Sequence, residues 1–357
     1  MAGMIFWISF LVISYVYVGY PLLLLAWRGC AGKPVRRADW EPAVSIVIAA
    51  YNERENIESK ILNCLELDYP RDKLEIIVSL DGPTDGTDVL ACKYVDHGIR
   101  VICCPSHRGK AAALNAGLAE VSGDVIVFAD ARQRIERRAI RELVADLNDP
   151  TVGAVTGRLV LLDDRGEPAA DGVGLYWRYE TRLRALESDI HSVAGATGAL
   201  YAIRREHARP IPPDTILDDV LIPLRAVLAG RRIVYQPRAL VYEPAVWSPE
   251  IEFRRKIRTL MGNYQLLAYL PEVLLPTRNP IFLQFLSHKV GRLVVPYLLG
   301  ALFLSNLLLA RSPVFLALFV LQVLFYLSAA AGCFIARQGA ADERRPAPLE
   351  RSRVIST

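Results

Sequence analysis

Three stretches of this sequence place acidic side chains where a short apolar run ends: Ala49-Ala50-Tyr51-Asn52-Glu53, Leu80-Asp81-Gly82-Pro83-Thr84-Asp85-Gly86-Thr87 and Ala129-Asp130-Ala131-Arg132. Carboxylates at such positions suit a hard divalent cation, which in turn neutralises a diphosphate leaving group. Arg and Lys nearby, as in His107-Arg108-Gly109-Lys110, complete a phosphate site. Each stretch alone also has a plain structural reading. Asp-Gly pairs make turns, an Asp after a strand caps the next helix, and His107–Lys110 reads as a solvated loop. Ala49-Ala50-Tyr51-Asn52 is not the Gly-rich phosphate loop that a nucleotidyltransferase needs after its first strand.

Elements must aim these groups. Val44–Ala49, Leu74–Ser79, Arg100–Cys103 and Val125–Phe128 are short apolar runs that predict strands; Arg54–Glu66, Asp88–Tyr94 and Ala111–Val121 predict helices. Strand and helix in alternation predict an α/β fold, a parallel sheet with crossovers. In open sheets of this kind ligands bind beyond the carboxyl ends of the strands, where the acidic stretches stand.

Of the 357 residues 52% are hydrophobic and 22% charged, too apolar for an ordinary soluble enzyme and too charged for a membrane bundle alone. Residues 4–27 carry no charge; at about 1.5 Å per residue they reach roughly 36 Å, enough to cross a hydrocarbon core of about 30 Å. That run is too long for a cleaved signal peptide and has neither a basic start nor a small-residue cleavage site. Two further runs, 293–310 and 314–336, flank Arg311-Ser312-Pro313 and predict a transmembrane hairpin.

Arg28, Lys33, Arg36 and Arg37 follow the first run, Lys289 and Arg292 precede the second, and Arg337, Arg344 and Arg345 follow the third. The positive-inside rule puts all three groups on the cytoplasmic side of a multi-pass plasma or inner-membrane protein. This gives a cytoplasmic domain over 40–275 and a disordered cytoplasmic tail over 337–357. Residues 276–292 read as an interfacial helix or a simple buried one. Phe253, Leu260 and Tyr264 recur at helical spacing, and read as a face docked on the membrane or packed on the domain. Basic residues are spread along a chain of formal charge +4, which fits an anionic leaflet and implies no nucleic acid. The six cysteines form no CxxC pair and read as reduced thiols.

In order and spacing, the polar stretches resemble glycosyltransferase family 2, inverting enzymes of GT-A fold that include cellulose, chitin, hyaluronan and poly-N-acetylglucosamine synthases. The resemblance covers nearly all of residues 42–265. It rests on Pro42-x-Val44-Ser45-Ile46-Val47-Ile48 with Tyr51-Asn52-Glu53, Asp81-Gly82-x-Thr84-Asp85-Gly86-Thr87, Gly109-Lys110-x-x-x-Leu114-Asn115, Asp130-Ala131, Thr197-Gly198-Ala199-x-Tyr201-x-x-Arg204-Arg205, Asp218-Asp219 and Arg255-x-x-Arg258-Thr259. It implies an inverting, metal-dependent transfer of a sugar from a UDP-sugar to a membrane-associated acceptor, a lipid-linked saccharide or a growing polysaccharide.

Carried over by position, Tyr51, Glu53 and Asp81 hold the nucleotide base and ribose, and Lys110 meets the diphosphate. Asp130 is the first Asp of a D-x-D motif that bridges Mg²⁺ or Mn²⁺ to the diphosphate. Asp219 is the base that takes the acceptor's proton. Thr197, Gly198 and Ala199 underlie the acceptor, and Arg255 and Arg258 occupy a Q-x-x-R-W motif, with Arg258 on departing phosphate oxygens.

The sequence departs from the pattern at four places. Arg132 replaces the second acid of D-x-D, so either water completes the metal shell or the guanidinium meets the diphosphate directly. Pro83 replaces a Ser in the Asp-Gly turn. Arg255 and Thr259 replace the Gln and Trp of the processive signature, against a polymerase whose chain stacks at that point. Arg132 and Pro83 also motivate an alternative, an inactive nucleotide-sugar-binding or scaffold component of a polysaccharide assembly. Three spans are few for a polysaccharide channel, so a second copy or an export partner supplies the rest if polymer is made. Tyr176-Trp177-Arg178-Tyr179-Glu180 reads as core packing or acceptor-facing aromatics.

Overall fold

The computed structural model describes residues 1–163, 165–168, 174–245 and 249–342. One compact unit comprises Val12–Ala245 with Arg258–Pro296; a second gathers Met1–Leu11 with the described parts of Val246–Ile257 and Tyr297–Thr357.

The larger unit is built on one eight-stranded sheet. Its strands are β1 (Val44–Ala50), β2 (Leu74–Leu80), β3 (Ile99–Cys103), β4 (Val125–Asp130), β5 (Arg134–Ile135), β6 (Val152–Leu162), β7 (Leu200–Arg204) and β8 (Arg232–Pro244). They lie in the order β3-β2-β1-β4-β7-β6-β8-β5. β3, β2, β1 and β4 are parallel, as are β6 and β8, while β7 runs antiparallel to β4 and β6. The sheet is therefore mixed and mostly parallel.

Strands covered on both faces read as continuous apolar runs. Val44, Ile46 and Ile48 of β1 enter one core cluster, with Ile57 and Ile61 of the helix Ile57–Leu65; Val47 enters the other, with Leu114 of the helix Lys110–Ala119. That second helix lies so close that a Cβ on Gly117 would stand 2.7 Å from Val47. Truncating the fully buried Ile46 to Ala costs about 2–5 kcal/mol through lost transfer energy and the cavity left behind.

Among the described residues three helices are long and apolar enough to cross a membrane: Ala2–Ala31, Phe282–Leu309 and Pro313–Gly332. Pro313 opens the helix Pro313–Asp342, and Phe303 meets Phe319 across the turn with ring centroids 5.2 Å apart. Within 276–292, residues from Phe282 onward are the first turns of the long apolar helix Phe282–Leu309, passing through a π segment, Leu286–Val290, without a break, with Gln284, Phe285, Ser287 and His288 buried. Gly291 has no side chain to hold the helix away from Val16, which a Cβ there would meet at 2.9 Å. Residues 337–342, expected in a disordered tail, continue the last helix; 343–357 lie outside the described residues. Cys30, Cys64, Cys92, Cys103 and Cys104 are free thiols, as expected.

Candidate active site

Register brings the acidic stretches together. Ala50 pairs with Leu80 and Ala49 with Asp130, so Tyr51, Asp81 and Asp130 leave the sheet side by side. They line a cleft of about 340 Å³ with Glu53, His107, Lys110, Arg132, Gln133 and Arg258. Six of the seven predicted donor-site residues thus share one cleft. The seventh, Arg255, groups with the smaller unit, where it approaches Glu252 at 3.9 Å.

Asp81 is 1% exposed and its carboxylate shapes the cleft wall. It accepts hydrogen bonds from the backbone N–H groups of Arg108 and Gly109, both at 2.8 Å, and meets His107 Nδ1 at 2.7 Å. Gly82 (φ +60°) makes this clamp possible, because a Cβ there would lie 2.4 Å from the Ser106 carbonyl carbon. His107 in turn stacks on Tyr51, ring centroids 3.8 Å apart and planes at 24°. Nothing in the sequence pattern singled out His107, since the contact needs two loops brought together by the sheet.

Arg132, at the departure from D-x-D, donates from Nε to Glu53 Oε1 at 2.7 Å, and Asn56 donates to the other oxygen of Glu53 at 2.7 Å. The turn carrying Arg132 is held from below by Lys60. This lysine is 2% exposed and donates from Nζ to the Gln133 carbonyl at 2.9 Å; burial lowers its pKa, against the pull of Cys64 and Asp130.

The next group surrounds Lys110. Its Nζ lies 2.9 Å from Asp130 Oδ1 and 3.4 Å from Asp218 Oδ1. Burial opposes its charge, but Asp218 and Asp130 outweigh burial and raise its pKa well above the usual lysine range. Asp218 and Asp219 open the helix Asp218–Leu228, where a helix N-terminus favours carboxylates. Burial and Asp218 push Asp219 up to about 6, with Lys110 and Lys289 pulling back and Asp130 adding to the rise. Lys289 and Asp218 were not predicted as site residues.

Gly198 ties the two ends of the site together. A Cβ there would stand 3.3 Å from Asp219 Oδ2 and 3.7 Å from Asp130 Oδ2, so both carboxylates face the space above this glycine. Thr197 donates its backbone N–H to Thr156 Oγ1 at 2.9 Å, and Ala196 donates to the Asp219 carbonyl at 2.8 Å. Ala199, expected beneath an acceptor, is 5% exposed and packs into the apolar cluster around β1 and β4.

Among the described residues no three His, Cys, Asp or Glu side chains gather as a metal cage. Asp130 still fits a divalent ion as a lone protein ligand. Its Oδ2 faces the space above Gly198 while Oδ1 meets Lys110, and magnesium ordinarily completes its shell with water and phosphate oxygens.

Residues 45–209 match glycosyl transferase family 2. The chain is 29% identical over 244 residues to probable glycosyltransferase YdaM of Bacillus subtilis, covering 65% of this chain and 58% of that protein. It is 26% identical over 244 residues to poly-beta-1,6-N-acetyl-D-glucosamine synthase of Staphylococcus aureus, covering 66% and 58%. The chain thus spans 58% of the length of these curated relatives. Among solved structures it is similar to mannosyltransferase PcManGT from Pyrobaculum calidifontis in complex with GDP-Man and Mn²⁺. There the TM-score is 0.67 at 25% identity, over 92% of this chain and 97% of that one. The family match runs from β1 to just past β7 and stops short of Asp218, Asp219 and Arg258, whose place at the site comes from the structure. Residues 45–209 thus carry a glycosyl transferase family 2 domain, in a chain similar to glycosyltransferases over most of its length.

Proposed function

We propose that the chain transfers a sugar, with inversion and with the help of a divalent ion, from a nucleotide-diphospho-sugar to a membrane-associated acceptor. The observation that carries this reading is the meeting of Asp130, Lys110 and Asp219 around the side-chain-free position Gly198. A base raised to about 6 is mostly ionised at neutral pH, ready to take a proton, and is more basic than an ordinary carboxylate.

The acceptor oxygen attacks the anomeric carbon as Asp219 takes its proton, and the bond from that carbon to the diphosphate oxygen breaks on the opposite face. Lys110 and Arg258 bind the leaving phosphate oxygens, and Tyr51 and Glu53 face the nucleoside. A bound Mg²⁺ or Mn²⁺, held by Asp130, supplies Lewis-acid neutralisation of the diphosphate charge. Thr197 and Gly198 form the floor under the acceptor. The sequence resemblance favours a uridine donor, whereas the similar mannosyltransferase structure contains GDP-Man; both nucleotides therefore belong in the assay.

Three apolar helices support the membrane reading. Basic residues at their ends support a cytoplasmic catalytic domain. Phe253, Leu260 and Tyr264 are 64%, 41% and 47% exposed, which favours their docking on lipid over packing on the domain. The test is nucleoside diphosphate release by the purified protein over UDP-glucose, UDP-N-acetylglucosamine, UDP-galactose and GDP-mannose, with Mg²⁺ or Mn²⁺. Turnover of one donor, lost on chelation and in Asp130→Ala, is expected. Metal-independent turnover unchanged in that variant would refute the reading.

A further inference from the structure

A second cleft, of about 330 Å³, lies in the larger unit apart from the donor cleft and has a different charge pattern. Arg158, Arg178 and Arg182 line it, with Trp177 at their side. Arg158 and Arg182 have no ion-pair or hydrogen-bond partner among the described residues. The lining's carboxylate, Asp189, is already taken by Arg28 at 2.9 Å. Tyr235 also lines the cleft; it is 8% exposed, and its hydroxyl oxygen is buried without a hydrogen-bond partner. The surplus is one of donors: the guanidiniums of Arg158 and Arg182, an indole and a phenol, with no anion to receive them among the described residues.

The position of the cleft narrows what the anion is. Arg178 and Arg182 lie one turn apart on the helix Gly174–Ile190, which packs along the first apolar helix. Tyr179 donates to the Tyr17 carbonyl at 3.0 Å, Tyr20 donates to Glu187 at 2.7 Å, and Arg28 meets Asp189. Leu183, Leu186 and Ile190 fill the space around Tyr20 and Leu24. These contacts bring Arg178 and Arg182 near the level of Tyr17 and Tyr20. Arg292, the last charge before the second apolar run, lies 6.0 Å over the Tyr17 ring. The headgroup boundary therefore falls here, and Tyr20, Leu24 and Trp27 pack on the domain instead of in hydrocarbon. Tyrosines cluster on membrane helices where hydrocarbon gives way to headgroups, and lipid phosphates lie at that depth. Guanidiniums bind phosphate oxygens through two parallel hydrogen bonds, and an indole suits the boundary between glycerol and acyl chain.

We propose that this cleft holds the phosphate of an anionic membrane lipid, at a site that does not rest on the donor reading. Arg158 and Arg182 receive the phosphate, Trp177 lies along the glycerol, and the bound lipid fixes the helix Gly174–Ile190 against the first span. Free phosphate shares the chemistry but not the depth.

The test uses the full chain in detergent, with native mass spectrometry counting bound phosphatidylglycerol and phosphatidylcholine. The pair Arg158→Gln with Arg182→Gln is compared with Arg182→Ala alone, an exposed helix position whose truncation leaves the core untouched. A cooperative thermal unfolding transition within a few degrees of wild type reports that each variant is folded. Wild type is expected to hold phosphatidylglycerol at least about tenfold more tightly than phosphatidylcholine, and the variants are expected to lose that preference. Equal retention by folded variants, or no preference in wild type, overturns the site. Inorganic phosphate is expected to leave the lipid in place; displacement by phosphate at equal concentration assigns the cleft to a soluble anion and overturns the lipid.

Discussion

The two clefts of the larger unit treat charge in opposite ways. In the donor cleft acids meet bases: Lys110 lies between Asp130 and Asp218, Arg132 is on Glu53, and His107 is on Asp81. In the arginine cleft Arg158 and Arg182 have no ion-pair partner among the described residues, and the carboxylate of the lining, Asp189, is already occupied by Arg28. Paired groups keep their geometry without a ligand, which is what a reacting site requires. Unpaired guanidiniums gain most from an anion brought to them, as a binding site requires. A cluster's internal pairing therefore separates a site built to react from one built to hold.

The sharpest way to break that contrast is at the base. Asp219→Asn keeps the shape and removes the proton acceptor, so transfer is expected to fall by about 10²–10⁴-fold while nucleotide binding persists. Near-normal turnover would remove Asp219 from the base role and assign the acceptor's proton to another group of the donor cleft. Gly198→Ala tests the geometry between the acids. The added Cβ lies 3.3 Å from Asp219 Oδ2, which must give way by a few tenths of an ångström; since a misplacement of about 1 Å costs about 10²-fold, turnover is expected to fall by roughly three- to tenfold. Donor affinity should change little. An unaltered kcat would mean that the space above Gly198 is not used by the acceptor.

Lys60 tests how the pairing is held in place. Lys60→Met removes the hydrogen bond from Lys60 Nζ to the Gln133 carbonyl, beneath the turn that carries Arg132. A buried carbonyl left without its partner costs about 1–3 kcal/mol, to be read as a lowered thermal midpoint. No loss of stability would show that the turn holds itself.

Much of the donor cleft was legible because it sits at the ends of consecutive β-α units. Val44–Ala49 and Leu74–Ser79 were read within one residue of β1 and β2, and the residues that follow a parallel strand stand at its ligand-binding edge. The Arg132–Glu53 pair and the Tyr51–His107 stack were not legible, since each joins positions far apart in sequence through the register of the sheet. The second half of the sheet was missed for a related reason. β7 runs antiparallel between β4 and β6, and β6 carries Gly153 and Gly157, which interrupt its apolar pattern. Lys289 was assigned to the membrane boundary, and its reach to Asp219 depends on how the helix Phe282–Leu309 meets the domain. The arginine face of the helix Gly174–Ile190 escaped because its amphipathicity is set by two partners, the first span on one side and the cleft on the other.

The smallest expected effect concerns His191, beside the arginine cleft, whose pKa is lowered from 6.5 to about 4 by burial and by Lys33 and Arg232. Between those values the unfolded chain binds a proton that the folded chain refuses, so stability falls as pH drops from 6.5 toward 4 and is unaffected above 6.5. With the ring partly solvated, the loss is on the order of 1 kcal/mol. His191→Gln should flatten that part of the thermal-midpoint profile. An anionic lipid in the neighbouring cleft adds negative potential and makes the folded imidazole easier to protonate. The acid loss should then be smaller in phosphatidylglycerol than in phosphatidylcholine, and the difference should vanish in His191→Gln. An equal loss in both lipids would mean that no anion sits close enough to His191 to compensate the cationic cleft.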